Sequence, residues 1–175
     1  RTEFEKWGAW HVPNKTFRQV KEGCFDVKMS FNEIGARDKS FKIQHNNSII
    51  LLGDSMAEGF GVEYDFITQT LLEEKLNREV LNFGASGNFG PLQQLLLYNK
   101  FRNILHSGVI IFFLPANDFQ DNDIEFWSIR DRKRYRPYFN DNGNVLDPFY
   151  FPEAKPRKIS MGDSIGHIDL FIKEY

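Results

Sequence analysis

Three residues far apart in the 175-residue chain have side chains and settings suited to chemistry on a carbonyl carbon. Ser55 stands in "IILLGDSMAEGFGV", Gly84 in "LNFGASGNFG" and Asn117 in "LPANDF". A serine oxygen attacking an ester carbonyl creates an oxyanion, and donors must already be aimed at it when it forms. The Ser55 N–H would open a helical turn, where backbone donors and the helix dipole favour negative charge. Gly84 can bring an N–H close because no side chain stands in the way. Asn117 offers a carboxamide N–H. Read singly, each signal is ordinary: Asp54-Ser55 is a helix N-cap, the glycine run a turn, and Asn117-Asp118 a loop start. Their recurrence at three strand ends is what points to acyl transfer.

The elements that would position them follow from periodicity. Residues 49–52 and 80–83 are short apolar runs that read as strands, and 109–115 is apolar throughout, as expected of a strand covered on both faces. Between them, 63–79 carries Phe66, Ile67, Leu71, Leu72 and Leu76 at helical spacing, and 91–108 opens on Pro91 and closes on Gly108. Strands joined by crossover helices lie parallel with right-handed connections. The fold class is therefore α/β, one domain with a core over 46–123, and ligands in such sheets bind beyond the carboxyl ends of the strands. Residues 1–45 read as an extension of hairpins and loops. After Asp123 comes a charged loop, and Asn142-Gly143 marks a hairpin within a 124–160 excursion. Residues 161–175 begin a helix with Ile168, Phe171, Ile172 and Tyr175 on one face, a pattern that stops midway. The sequence thus reads as a piece of a longer polypeptide.

A serine hydroxyl needs a proton acceptor, usually histidine. The chain has four. His106 closes the second helix, about 15 residues at 1.5 Å each from the site, or roughly 20 Å away. His45 precedes the first strand at that same far edge. His11 lies in the N-terminal extension, where the sequence gives it no position.

The three blocks resemble, in order and spacing over residues 49–123, those of the SGNH/GDSL hydrolases, and "FNEIGARDKSF" is similar to the lead-in of some bacterial members. The resemblance implies a flavodoxin-like three-layer α/β/α fold with a parallel central sheet, and no metal or other cofactor. It makes Ser55 the nucleophile, with Gly84 and Asn117 as oxyanion partners. It also implies an Asp-x-x-His element near the C-terminus. Asp163 and His167 in "DSIGH" have one residue too many between them, so acid and base are expected beyond Tyr175, and residues 1–175 alone are expected to be nearly inactive. The implied substrate is a carbohydrate, lipid or small-molecule ester. The alternatives are an O-acyltransferase on the same scaffold and a binding module without turnover. An extracytoplasmic location is favoured.

Composition narrows the partners. With 22 basic and 24 acidic residues the net charge is −2, which argues against nucleic acid, since phosphate recognition needs a basic footprint. No apolar run approaches the ~20 residues of a membrane span. The lone Cys24 excludes an intramolecular disulfide and reads as a small buried hydrophobe. "RDRKRYR" (130–136) reads as a solvated loop, or more sharply as a rim attracting anionic substrate. "NDFQDND" (117–123) lacks the glycine and terminal glutamate of a calcium loop; Asp118 is expected to brace the loop carrying Asn117. Gly59 and Gly61 do not form a phosphate loop, because no lysine follows.

Overall fold

The computed structural model describes residues 7–8, 10–40, 47–87, 89–105, 108–129, 136–141 and 146–149. Its centre is a parallel three-stranded sheet of β3 (Ile49–Gly53), β4 (Val80–Gly84) and β5 (Val109–Phe113), in the order β4-β3-β5. Gly53 stands in register with Gly84 on one side and Phe113 on the other, so all three strands finish at one edge.

Each face of the sheet has its own core. Ile50 and Leu52 join Leu81, Phe83 and Trp7 beneath Leu97 and Leu105 of α3 (Pro91–Leu105). Ile49, Leu51 and Val80 pack on Ala57 of α1 (Ser55–Glu58), with Leu72 of α2 (Thr68–Leu76) beside them. Helical residues thus pack against both β3 and β4, compatible with an α/β protein. Each fully buried side chain of the size of Phe83 or Leu97 contributes about 1.5–3 kcal/mol.

Three expectations change. The strand expected over 109–115 ends at Phe113, and it is not covered on both faces: Val109, Ile110, Phe112 and Phe113 are exposed, because the helices seat over β3 and β4. The helix expected over 63–79 is divided into a 3₁₀ turn, Tyr64–Phe66, and α2, because Ile67 between them is extended at φ −72°, ψ 155°. Ile67 turns fully inward, whereas Phe66, Leu71 and Leu76 remain exposed. Residues 124–129, expected to open a charged loop, form instead a short helix, α5 (Ile124–Ile129), following α4 (Asp118–Asp121). Asp123 starts α5 by accepting the N–H groups of Glu125 and Phe126.

The expected N-terminal hairpin is β1 (Thr16–Lys21) paired antiparallel with β2 (Phe25–Ser30), with Val27, Met29 and Phe31 buried under it. Cys24 is exposed, contrary to expectation, because it occupies the turn between these strands, where its N–H donates to Lys21 O. The excursion holds the hairpin of β6 (Tyr138–Asp141) and β7 (Leu146–Phe149); Asn142 and Gly143 themselves lie outside the described residues. So do the helix expected from residue 161 onward and residues 130–135 of the basic run. Arg136 of that run is buried rather than solvated: it stacks over Trp127, 4.5 Å from the ring centre, and donates to Asp121 O at 2.7 Å. Among the described residues no helix is long and apolar enough to cross a membrane.

Gly84 tests how tightly α1 sits on the sheet. A Cβ there would collide with the Glu58 N atom and lie 2.6 Å from Ala57 C, backbone that cannot swing aside. Gly84→Ala should lower stability by ~1–3 kcal/mol through overpacking. Gly108→Ala, where nothing lies within 4 Å, should leave the urea midpoint almost unchanged.

Candidate active site

The chain leaves β3 through Gly53 because α1 turns back at once over the strand end. A Cβ on Gly53 would lie 2.5 Å from the Ala57 Cβ and 3.0 Å from Phe113 O. Asp54 then caps α1, its Oδ1 accepting the Met56 N–H at 2.9 Å. Gly59 ends the helix in the left-handed conformation at φ 82°. These local rules present Ser55 as the first residue of α1, half-buried at the edge where the strands finish.

Ser55 and Asn117 meet on one carboxylate oxygen. The Ser55 hydroxyl donates to Asp54 Oδ2 at 3.5 Å, and Asn117 Nδ2 donates to the same oxygen at 3.2 Å. Asn117 Nδ2 also donates to Asp118 Oδ1 at 3.4 Å, so Asp118 holds the carboxamide as expected of it. Behind it, Gln94 Nε2 donates to Asp118 Oδ2 at 3.1 Å. Burial, reinforced by the charge of Asp54, pushes the Asp118 carboxyl up to about 7. A partly protonated Asp118 removes one anion from beside the carboxamide.

Gly84 does not offer the donor expected of it. Its N–H donates to Asn82 Oδ1 at 2.9 Å, and its missing side chain makes room for the backbone of α1. Ala85 N–H donates to Gly53 O at 3.2 Å. The next amides, those of Ser86 and Gly87, belong to half-exposed residues and have no acceptor among the described residues.

His11, unplaced by sequence, sits against the underside of α1. Its Nδ1 donates to Gly35 O at 3.0 Å and its Nε2 meets Glu58 Oε1 at 2.9 Å, while the ring stacks on Phe31. With both nitrogens engaged, it is not a base for Ser55. His45, His106, Asp163 and His167 lie outside the described residues.

Several residues that shape the site were not anticipated. Glu58, only 2% exposed, accepts the Ser86 hydroxyl as well as His11. Ser55-x-x-Glu58 has the spacing of a capping box, but Asp54 takes the cap and Glu58 turns inward. Fully buried Arg37 donates to Glu58 O at 3.0 Å, Gly59 O at 2.5 Å and Val62 O at 2.6 Å, clamping the carbonyl end of α1. Burial lowers the Arg37 pKa, and Glu58 offsets part of that effect. Asp38 anchors β4 by accepting the Asn82 N–H at 2.9 Å, and Gln69 Nε2 at 2.7 Å; burial pushes its carboxyl up to about 7. Among the described residues no group of acidic, histidine and cysteine side chains could hold a metal ion.

Asp38 and Asp118 make stability depend on pH with a definite sign. Folded, each keeps its proton up to about pH 7; unfolded, an aspartate loses it near pH 4. Between those values the folded state binds more protons, so stability should fall as pH rises from about 4 through 7. Melting temperatures across that window should show the decline, and Asp118→Asn should flatten it. No protein-family model matches the chain and no curated protein matches it, so its function has to be read from this geometry.

Proposed function

We propose that the protein is a serine hydrolase of carboxylic esters, of the SGNH/GDSL kind, and that its parallel core belongs to a flavodoxin-like three-layer α/β/α fold. The observation that carries this reading is the meeting of Ser55 and Asn117, 62 positions apart in the chain, on the single oxygen Asp54 Oδ2. An attacking hydroxyl and a carboxamide donor held a few ångströms apart are what acyl transfer requires.

Ser55 Oγ attacks the ester carbonyl as its proton passes to a general base. The resemblance gives that role to a histidine, and His11 is committed elsewhere. The carbonyl oxygen, now negative, accepts from Asn117 Nδ2, which exchanges its 3.4 Å contact with Asp118 for the oxyanion. The loop amides of Ser86 and Gly87 serve as the backbone donors in place of Gly84. Collapse of the intermediate expels the alcohol, and water then releases the acyl group from Ser55. The substrates are esters of carbohydrates, lipids or small molecules. A sugar hydroxyl replacing water would make the same site an O-acyltransferase.

A second reading, a binding module without turnover, is favoured by one observation: the only histidine among the described residues has both ring nitrogens engaged away from Ser55.

In a polypeptide extended past Tyr175, where the resemblance places the general base, a fluorophosphonate probe should label Ser55, and Ser55→Ala should abolish both labelling and hydrolysis of p-nitrophenyl acetate. Asn117→Ala should lower kcat about 10²–10³-fold, the usual loss for one oxyanion donor. Acceleration by an added glycan acceptor would single out transfer. A protein that neither labels nor turns over, yet binds an ester, would establish the second reading.

A further inference from the structure

We propose that Glu58 is a positioning residue for acyl transfer at Ser55: its buried carboxylate ties the loop after β4 to α1 and to the N-terminal segment, and so sets the direction of the loop's amides. This rests on the catalytic reading of Ser55 given above.

Both carboxylate oxygens of Glu58 are used. Oε1 meets His11 Nε2 at 2.9 Å, and Oε2 accepts the Ser86 hydroxyl. A carboxylate buried to 2% exposure is strongly disfavoured unless paired, and an apolar side chain would pack α1 without that demand. The anchor behind it is rigid. His11 is held at Nδ1 by Gly35 O, and its ring lies 4.1 Å from that of Phe31. The main chain of Glu58 is fixed separately, by the Arg37 guanidinium on Glu58 O and Gly59 O. His11 and Arg37 are thus the basic side chains beside Glu58.

The loop needs such a tie. Ala85 N–H is fastened to Gly53 O, but Gly87 follows in the left-handed region at φ 92°, where glycine is conformationally permissive. Between them, the Ser86 hydroxyl on Glu58 joins the loop to the helix that carries Ser55. Rotation of Ser86 would re-aim the amides of Ser86 and Gly87, which the catalytic reading assigns to the oxyanion. Preorganised donors lose their effect when their aim is lost.

The test compares Ser86→Ala, Glu58→Ala and Glu58→Gln in the same polypeptide extended past Tyr175. Ser86→Ala and Glu58→Ala should each lower kcat on p-nitrophenyl acetate about tenfold or more with KM within about twofold, as expected when donors act only in the transition state. The variant carrying both alanines should be no worse than the more impaired single one. Glu58→Gln should restore most of the rate, because the carboxamide oxygen still accepts the Ser86 hydroxyl and the carboxamide nitrogen can donate to a neutral His11 ring. Hydrogen exchange at Ala85, whose N–H donates to Gly53 O, reads the tie and should accelerate in Ser86→Ala, a half-exposed substitution that keeps the test open if Glu58→Ala does not fold. Unchanged exchange, wild-type labelling of Ser55 in Ser86→Ala, or multiplying effects of the two alanine variants would each overturn the proposal. Failure of wild-type protein to label at Ser55 would instead overturn the catalytic reading, and the positioning role with it.

Discussion

The close seating of α1 on the sheet edge is the constraint from which the rest of the site follows. A helix can start immediately after β3 and lie across the end of β4 only if the strands carry no side chains where its backbone passes. Gly53 and Gly84, paired in register, provide that clearance. Once α1 lies there, Ser55 must face the edge where β5 delivers Asn117, and Asp54 stands between the two as cap and shared acceptor. Chemistry and packing are inseparable here: the residue that looks like an oxyanion donor is a spacer for the helix that presents the hydroxyl.

The second determinant is charge supplied from far away in the chain. The N-terminal segment looks like an appendage to an α/β core, but it delivers His11, Arg37 and Asp38 to groups beneath and behind α1. Arg37 satisfies carbonyls that a helix of four residues leaves without intrahelical partners. Asp38 receives the Asn82 N–H, and Asn82 in turn holds Gly84 N–H through Oδ1 and Ala57 O through Nδ2. Segment, strand and helix are thereby joined in one polar network within an apolar core. Such networks gain strength in a low dielectric provided their members are satisfied.

The legible parts of the sequence were those governed by local rules. β3 and β4 announced themselves as apolar runs between polar turns, and their parallel pairing followed from the helices between them. Ser55 and Asn117 were legible as strand-end residues, since an α/β sheet directs such residues to one edge. What was not legible depends on distance. Whether Phe66 or Ile67 turns inward is decided by an extended residue that splits the helix, not by spacing. The exposure of β5 reflects where the helices seat, over β3 and β4. Glu58 was overlooked because carboxylates are rarely buried, so an Asp-Ser-x-x-Glu run reads as a solvent-facing helix start. His11 could be placed only once the chain had folded back over it.

The hairpin turn at Cys24 has a practical side. Its sulfur is the sole thiol of the 175 residues and faces solvent, so a maleimide dye would attach at one defined position. The strands flanking that turn carry Gln19, which accepts the Gly61 N–H, and Phe25, packed edge-on against Phe60 just beyond α1. A fluorophore at the tip would therefore sense whether the hairpin stays seated on the loop behind Ser55, without altering any residue of the site. Residues 1–175 offer that sulfur no intramolecular disulfide partner, so under oxidising conditions two copies of this segment can be joined through it, and a reductant keeps them single.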